Sequence, residues 1–217
     1  MPKNTAHPSH PDTAETLRIV PANEASWEDL RTVFGRRGDP CRDWCQRYKM
    51  QPGETWANAG PEALAGRLRE QTGCGRPGEP TTGLVAYLGE DPVGWCSVDP
   101  RADNPRLLSH NPVPWAGRDE DKADESVWAV TCFVTRVGFR RRGVSRALAQ
   151  ASVGFARDRG ARALEGYPHR TEISHLGTPG VFAAAGFTEV SRPTLRRSVW
   201  RIDLTPVADG APADPLS

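Results

Sequence analysis

The sequence predicts an α+β protein, a three-layer arrangement in which helices flank one mixed central β-sheet. Three observations lead there. Two short β-rich runs, Gly83–Leu88 and Val93–Val98, flank the turn-forming Gly89-Glu90-Asp91-Pro92 and read as a hairpin. Next, Val127–Val134 is a continuous β-branched and aromatic run, the pattern of a strand buried on both faces. A helix pattern from Val144 to Arg159 and a strand at Ala163–Tyr167 then make a β–α–β crossover.

The remaining elements fit around that centre. Leu17–Val20 is a short strand. Asn23 is placed to cap a helix through Arg36 with an apolar stripe of Trp27, Leu30, Val33 and Phe34. The aromatic stretch Cys41–Tyr48 has no clear boundaries. Pro61 suits the first turn of a helix reaching Gln71. Residues 100–125 form a long Pro-, Asn- and Asp-containing insertion, and connections of that length are usually functional or mobile. A short helix over Gly180–Ala185 closes at Gly186, and 187–190 with 198–204 read as a final antiparallel pair. One domain is expected over 15–205, with polar tails at 1–14 and 206–217.

Composition narrows the function classes. No apolar run approaches the ~18 residues of a membrane helix, and the N-terminus lacks the apolar stretch of a secretory signal, so a cytoplasmic protein is expected. The five cysteines are odd in number and widely spread, which reads as reduced thiols. Cys41 and Cys45 have no second Cys/His pair at zinc spacing, and no metal is expected. The net charge of +1 conceals an uneven distribution. Arginines dominate after Val127, whereas Asp119, Glu120, Asp121, Asp124 and Glu125 form an acidic cluster just before it.

Chemistry concentrates where the buried strand runs into Arg140-Arg141-Arg142-Gly143-Val144-Ser145-Arg146. A strand, a basic glycine-containing turn and a helix N-terminus together form an anion site, because the first helical amides are unpaired and the macrodipole is positive there. Gly143 allows close approach of backbone to an oxygen, and the small Ser145 does not obstruct it. The loop lacks both the Gly-x-x-x-x-Gly-Lys-Ser/Thr and the Gly-x-Gly-x-x-Gly patterns, which argues against nucleotidase and dinucleotide folds. Near-balanced charge and the lack of any nucleic-acid motif argue against a nucleic-acid partner.

These residues resemble the signature of the GCN5-related N-acetyltransferase family, Gln/Arg-x-x-Gly-x-Gly/Ala after the fourth strand, with Ser145 as a small departure. Phe182-Ala183-Ala184-Ala185-Gly186-Phe187 is similar to the family's later Gly-Phe element. The resemblance implies a sheet splayed between the fourth and fifth strands and acetyl-CoA as co-substrate. Its pantetheine arm would lie along the backbone of Phe133, Val134 and Thr135, with Phe182 close by. The pyrophosphate would sit on the amides of Arg142, Gly143, Val144 and Ser145, with Arg140, Arg141 and Arg146 nearby. It further implies direct transfer: a bound amine attacks, the tetrahedral intermediate collapses and CoA thiolate leaves. Dimers are common in the family, and 198–204 is a strand that could pair across one.

The family's usual tyrosine acid is replaced by Phe182, which cannot donate a proton. Tyr167 is the first substitute, followed by Cys132 and Ser145, although Tyr167 also reads as a strand aromatic. Glu165 stands in an apolar strand, where a carboxylate is either paired with an arginine or turned to the acceptor cavity as base. His169, His175 and Asp99 are further base candidates, and Trp44, Tyr48 and Trp56 could wall the acceptor pocket. The expected acceptor is a small-molecule amine. The acidic residues 119–125 suit a polycation, and the segments at Cys132–Val134 and Arg140–Ala147 look like those of a kasugamycin-type aminoglycoside acetyltransferase. A protein amine, or a non-catalytic CoA-binding regulatory module, are the alternatives.

Overall fold

A computed structural model describes residues 16–109, 114–169 and 175–205. The tails expected at 1–14 and 206–217 lie outside the described residues. Seven strands form one sheet: β1 (Leu17–Pro21), β2 (Leu84–Leu88), β3 (Asp91–Pro100), β4 (Val127–Thr135), β5 (Ala163–Gly166), β6 (Thr188–Thr194) and β7 (Arg197–Asp203). Their order is β1-β2-β3-β4-β5-β7-β6. Only β4 and β5 pair in parallel, as the crossover through α6 (Val144–Arg157) requires.

The expected central elements are present with shifted ends. The first helix differs more. Its cap is Ser26, whose hydroxyl accepts from the Asp29 amide while the Asp29 carboxylate receives the Ser26 amide, so α1 spans Trp27–Phe34. Asn23 instead sits in a 3-10 turn and donates to the Glu79 carbonyl at 2.7 Å. In the aromatic stretch, α2 is the single turn Pro40–Asp43, followed by Trp44 and Cys45 with φ of 47° and 55°. Next come α3 (Trp56–Ala59) and α4 (Pro61–Thr72), the latter close to expectation. The insertion contributes α5 (Pro105–Ser109), and α7 covers Pro179–Ala183.

The last two strands correct an expectation. Pairing places β7 between β5 and β6, so 198–204 is interior and β6 is the sheet edge. β7 satisfies both of its neighbours and is not available to pair across a dimer.

Each face of the sheet carries its own core. Leu148, Ala149, Phe155 and Ala156 of α6 pack on Val93, Val98, Val130 and Phe133. Leu30, Val33 and Phe34 of α1, with Leu64 and Leu68 of α4, pack on Val85, Trp95, Cys132 and Val134 across the sheet. Close contact of α6 with β3 depends on Gly94, where a Cβ would meet Val144 Cγ1 at 2.4 Å.

Candidate functional site

One irregularity in β4 opens the sheet. Ser97 pairs with Cys132 but Val98 pairs with Val130, so Thr131 is an extra residue, a β-bulge. Pairing of β4 with β5 ends at Val130 and Gly166, immediately before that bulge. Beyond it β4 continues to Thr135 without β5, which is the expected splay. The amides of the free stretch alternate. Arg136 donates to the Val93 carbonyl, so Val134 also faces β3, whereas Phe133 and Thr135 face the gap. The Phe133 amide is not vacant there, because it donates to the His175 carbonyl at 2.6 Å.

At one end of this stretch lies the basic turn. Gly143, with φ of 79°, is the N-cap of α6 and supplies no side-chain cap, so the first-turn amides of Val144, Ser145 and Arg146 are open to an anion. Arg141 is also left-handed, at φ 62°, and two such residues in four curl the chain so that its amides can converge. The Thr135 and Ser145 hydroxyls lie 3.2 Å apart, linking the end of β4 to the helix. Arg140 and Arg142 precede Gly143, and Arg142 stacks at 5.3 Å over Phe139. Without a side-chain cap and with Arg140–Arg142 exposed, this turn fits a pyrophosphate.

At the bulge itself is a cavity of about 700 Å³ bordered by Thr131 and Cys132 of β4. Asp39, Arg42, Asp43 and Arg47 line it from α2 and the chain on either side of it. Trp56, His169, His175 and Arg197 complete the polar wall. Of the expected aromatic wall only Trp56 faces the cavity. Trp44 stacks on Trp27 and Phe34, and Tyr48 is buried. Burial raises the pKa of Asp43, whose Oδ1 accepts from the Cys45 amide at 3.0 Å. Burial, aided by the charges of Arg197, Arg196 and Arg47, lowers that of His169. The cavity residues from α2 escaped the sequence reading. The available signal was the alternation of acids, arginines and aromatics in Asp39–Arg47, with no apolar periodicity to explain it.

Two of the five cysteines correct the reading of free thiols. Cys45 and Cys132 form a disulfide across 87 residues of chain, with Cα atoms 6.0 Å apart. This bond ties the turn after α2 to the bulged part of β4, on the cavity wall. Cys132 therefore carries no thiol proton and drops out as an acid.

Glu165 realises the arginine-paired alternative. Fully buried on β5, it takes Arg118 in an ion pair, Arg201 at 3.0 Å and Arg101 at 3.3 Å. Tyr167 donates its hydroxyl hydrogen to Glu165 Oε2 at 2.9 Å. Burial, and then the Glu165 carboxylate, push the Tyr167 pKa well above its ordinary range. Glu120 joins the same cluster through Arg101 and Arg118, and Asp124 pairs with Arg162. The side chains of Glu120 and Asp124 are thus held by arginines away from the cavity lining.

Two other candidates are buried in the core. Asp99 is buried, ion-paired with Lys49 at 2.5 Å and hydrogen-bonded by Thr82 and Asn104. Phe182 is fully buried edge-on to Phe133 and Phe187. Its ring fills the place of a side chain at Gly166, where a Cβ would lie 2.0 Å from Phe182 Cε1. No helix among the described residues is long and apolar enough to cross a membrane.

Comparison with solved structures gives an N-acetyltransferase from Staphylococcus aureus Mu50, 12% identical, with 88% of this chain and 99% of that one covered and a TM-score of 0.51. A GCN5-related N-acetyltransferase from Kribbella flavida is 19% identical over 88% of this chain and 100% of its own, with a TM-score of 0.49. The first likeness agrees with the mixed sheet and its flanking helices. Comparison with curated proteins gives no match. The family pattern described as Acetyltransferase (GNAT) family matches residues 41–175, more than half of the 217 residues and inclusive of the bulged strand and the basic turn. The chain belongs to the GNAT family of acetyl-CoA-dependent N-acetyltransferases.

Proposed function

We propose that the protein acetylates a primary amine of a small molecule seated in the cavity beside β4. The two-sidedness of β4 carries this reading. Thr131 and Cys132 border the cavity, and Thr135 meets Ser145 in the first turn of α6. One short run of backbone therefore joins a place for an anion to a place for an amine. The residues that would hold acetyl-CoA are the turn Arg140–Arg146 for its pyrophosphate and the gap-facing backbone of Phe133 and Thr135 for its arm.

The thioester supplies an activated carbonyl, to which the amine nitrogen forms a bond as the carbon–sulfur bond breaks. The chain must hold the ammonium and take its proton. Asp43 is the cavity carboxylate suited to the first task. His169, kept neutral near pH 7 by its lowered pKa, is suited to the second. Glu165 and Tyr167 act as positioning residues that fix the end of β5, because each already engages the other and the carboxylate is ringed by guanidinium groups. A cytoplasmic setting would expose Cys45–Cys132 to thiol reductants.

Thiol release from acetyl-CoA over amino acids, polyamines, aminoglycosides and lysine peptides tests the reading. Turnover on a small amine supports it. Acetyl-CoA binding with no thiol release on any amine would favour a regulatory module instead.

A further inference from the structure

Three guanidinium groups, those of Arg42, Arg47 and Arg197, border the cavity. Among the described residues Arg42, Arg47 and Arg197 take part in no ion pair, although most other arginines that approach an acid do. Two of them converge. Arg197 is paired through its backbone with His169, and the charges of both Arg197 and Arg47 act on the His169 ring. Among the described residues the buried Tyr48 hydroxyl has no partner of good hydrogen-bonding geometry, and the Arg197 guanidinium acts on it. Two guanidinium groups that both act on the His169 ring give this part of the cavity lining a positive charge.

The opposite character comes from Asp43. One of its oxygens is occupied by the Cys45 amide, and no hydrogen bond among the described residues reaches the other. The same cavity thus offers a carboxylate oxygen for a cation and a pair of arginines for an anion. A polycation is poorly matched, since Glu120 and Asp124 are held elsewhere and, among the described lining residues, the acids are outnumbered by the arginines.

Resting on the proposed acetyl transfer, we propose that the acceptor is a zwitterion, an amine that also bears a carboxylate, with Arg47 and Arg197 binding the carboxylate and Asp43 the ammonium. The volume of about 700 Å³ suits a molecule of amino-acid to dipeptide size. Guanidinium groups recognise a carboxylate through paired, charge-assisted hydrogen bonds, so loss of the anion should be read directly in kcat/KM.

The test compares free L-amino acids with their carboxamides, and with kanamycin as a polycation, in the wild type and in an Arg47→Gln/Arg197→Gln double variant of unchanged melting temperature. The wild type should favour free amino acids by about tenfold or more in kcat/KM, and the double variant should lose most of that ratio. Carboxamides or kanamycin preferred by the wild type, or a ratio that survives in the double variant, would overturn the proposal. A parallel readout separates it from the acetyl-transfer reading. N-acetylated amino acids should raise the melting temperature of the wild type but not of the double variant. That difference without any thiol release would uphold Arg47 and Arg197 as the carboxylate-binding pair and overturn acetyl transfer. Thiol release without that difference, and without carboxylate preference, would do the reverse.

Discussion

The Phe133 amide reaches across the gap beyond β5 and donates to the His175 carbonyl at 2.6 Å. This is one of the two amides that β4 turns toward the proposed path of acetyl-CoA. If the arm takes this amide, the His175 carbonyl must give way. Hydrogen exchange then reports the event: saturating acetyl-CoA should leave Phe133 protected and accelerate exchange at 175–178. Unchanged exchange there would assign the contact to Thr135 alone.

Glu165 separates a structural from a catalytic role. Glu165→Gln would leave Arg101, Arg118 and Arg201 without their shared buried anion, a loss of about 3–5 kcal/mol by comparison with other broken buried pairs. Tyr167→Phe removes one hydrogen bond and should cost about 1 kcal/mol. Denaturant titration measures both. A Glu165→Gln protein as stable as the wild type but inactive would contradict the positioning role.

The disulfide gives a direct count. Thiol titration of the unfolded, non-reduced protein should find the three free cysteines Cys41, Cys74 and Cys96. Cys45→Ser should lower stability by about 2–4 kcal/mol, the usual effect of opening a long loop, and reductant should do the same to the wild type only.

Acid stability should depend on two half-buried carboxylates. The hydrogen bond from Arg67 holds Glu54 at about 2 instead of 4.5, and bonds from Ser126 and Arg162 hold Asp124 at about 2 instead of 3.8. Both groups release their proton more readily in the folded state. Their contribution is complete above the ordinary values and is lost as pH falls through them toward 2. Asp124→Asn should therefore lower the melting temperature at pH 7, and the difference should vanish near pH 2.

Gly94→Ala tests the seat of α6. A Cβ there would press on Val144 and Leu148, the buried residues that hold the helix's first turns against β3. Overpacking of this kind costs about 1–3 kcal/mol, and acetyl-CoA affinity should fall with it because the basic turn moves.

What was legible in the sequence followed from local pattern. Val127–Val134 is apolar throughout because both faces of β4 are covered, and Arg140–Ser145 marks the exposed turn that leads into a helix start with no side-chain cap. Three features were illegible because they join distant segments. Cys45 and Cys132 are 87 residues apart, and nothing near either announces the other. The arginines on Glu165 arrive from the insertion and from β7, so the choice between an ion-paired and a cavity-facing carboxylate needed the fold. Strand order is likewise non-local, and β7 enters between β5 and β6 although β6 precedes it in sequence. Ser26 as cap was visible in Ser26-Trp27-Glu28-Asp29, but Asn23 competed for the same role.

Calorimetric titration of acetyl-CoA into the wild type and Ser145→Glu tests the central claim most directly. An acidic residue in the first turn of α6 favours the helix itself, since it faces the positive end of the dipole. It would repel a pyrophosphate seated on the same amides. The wild type should bind acetyl-CoA, and the variant should keep its melting temperature while losing about a hundredfold or more in affinity. Equal binding by both proteins would contradict the placement of acetyl-CoA on this turn.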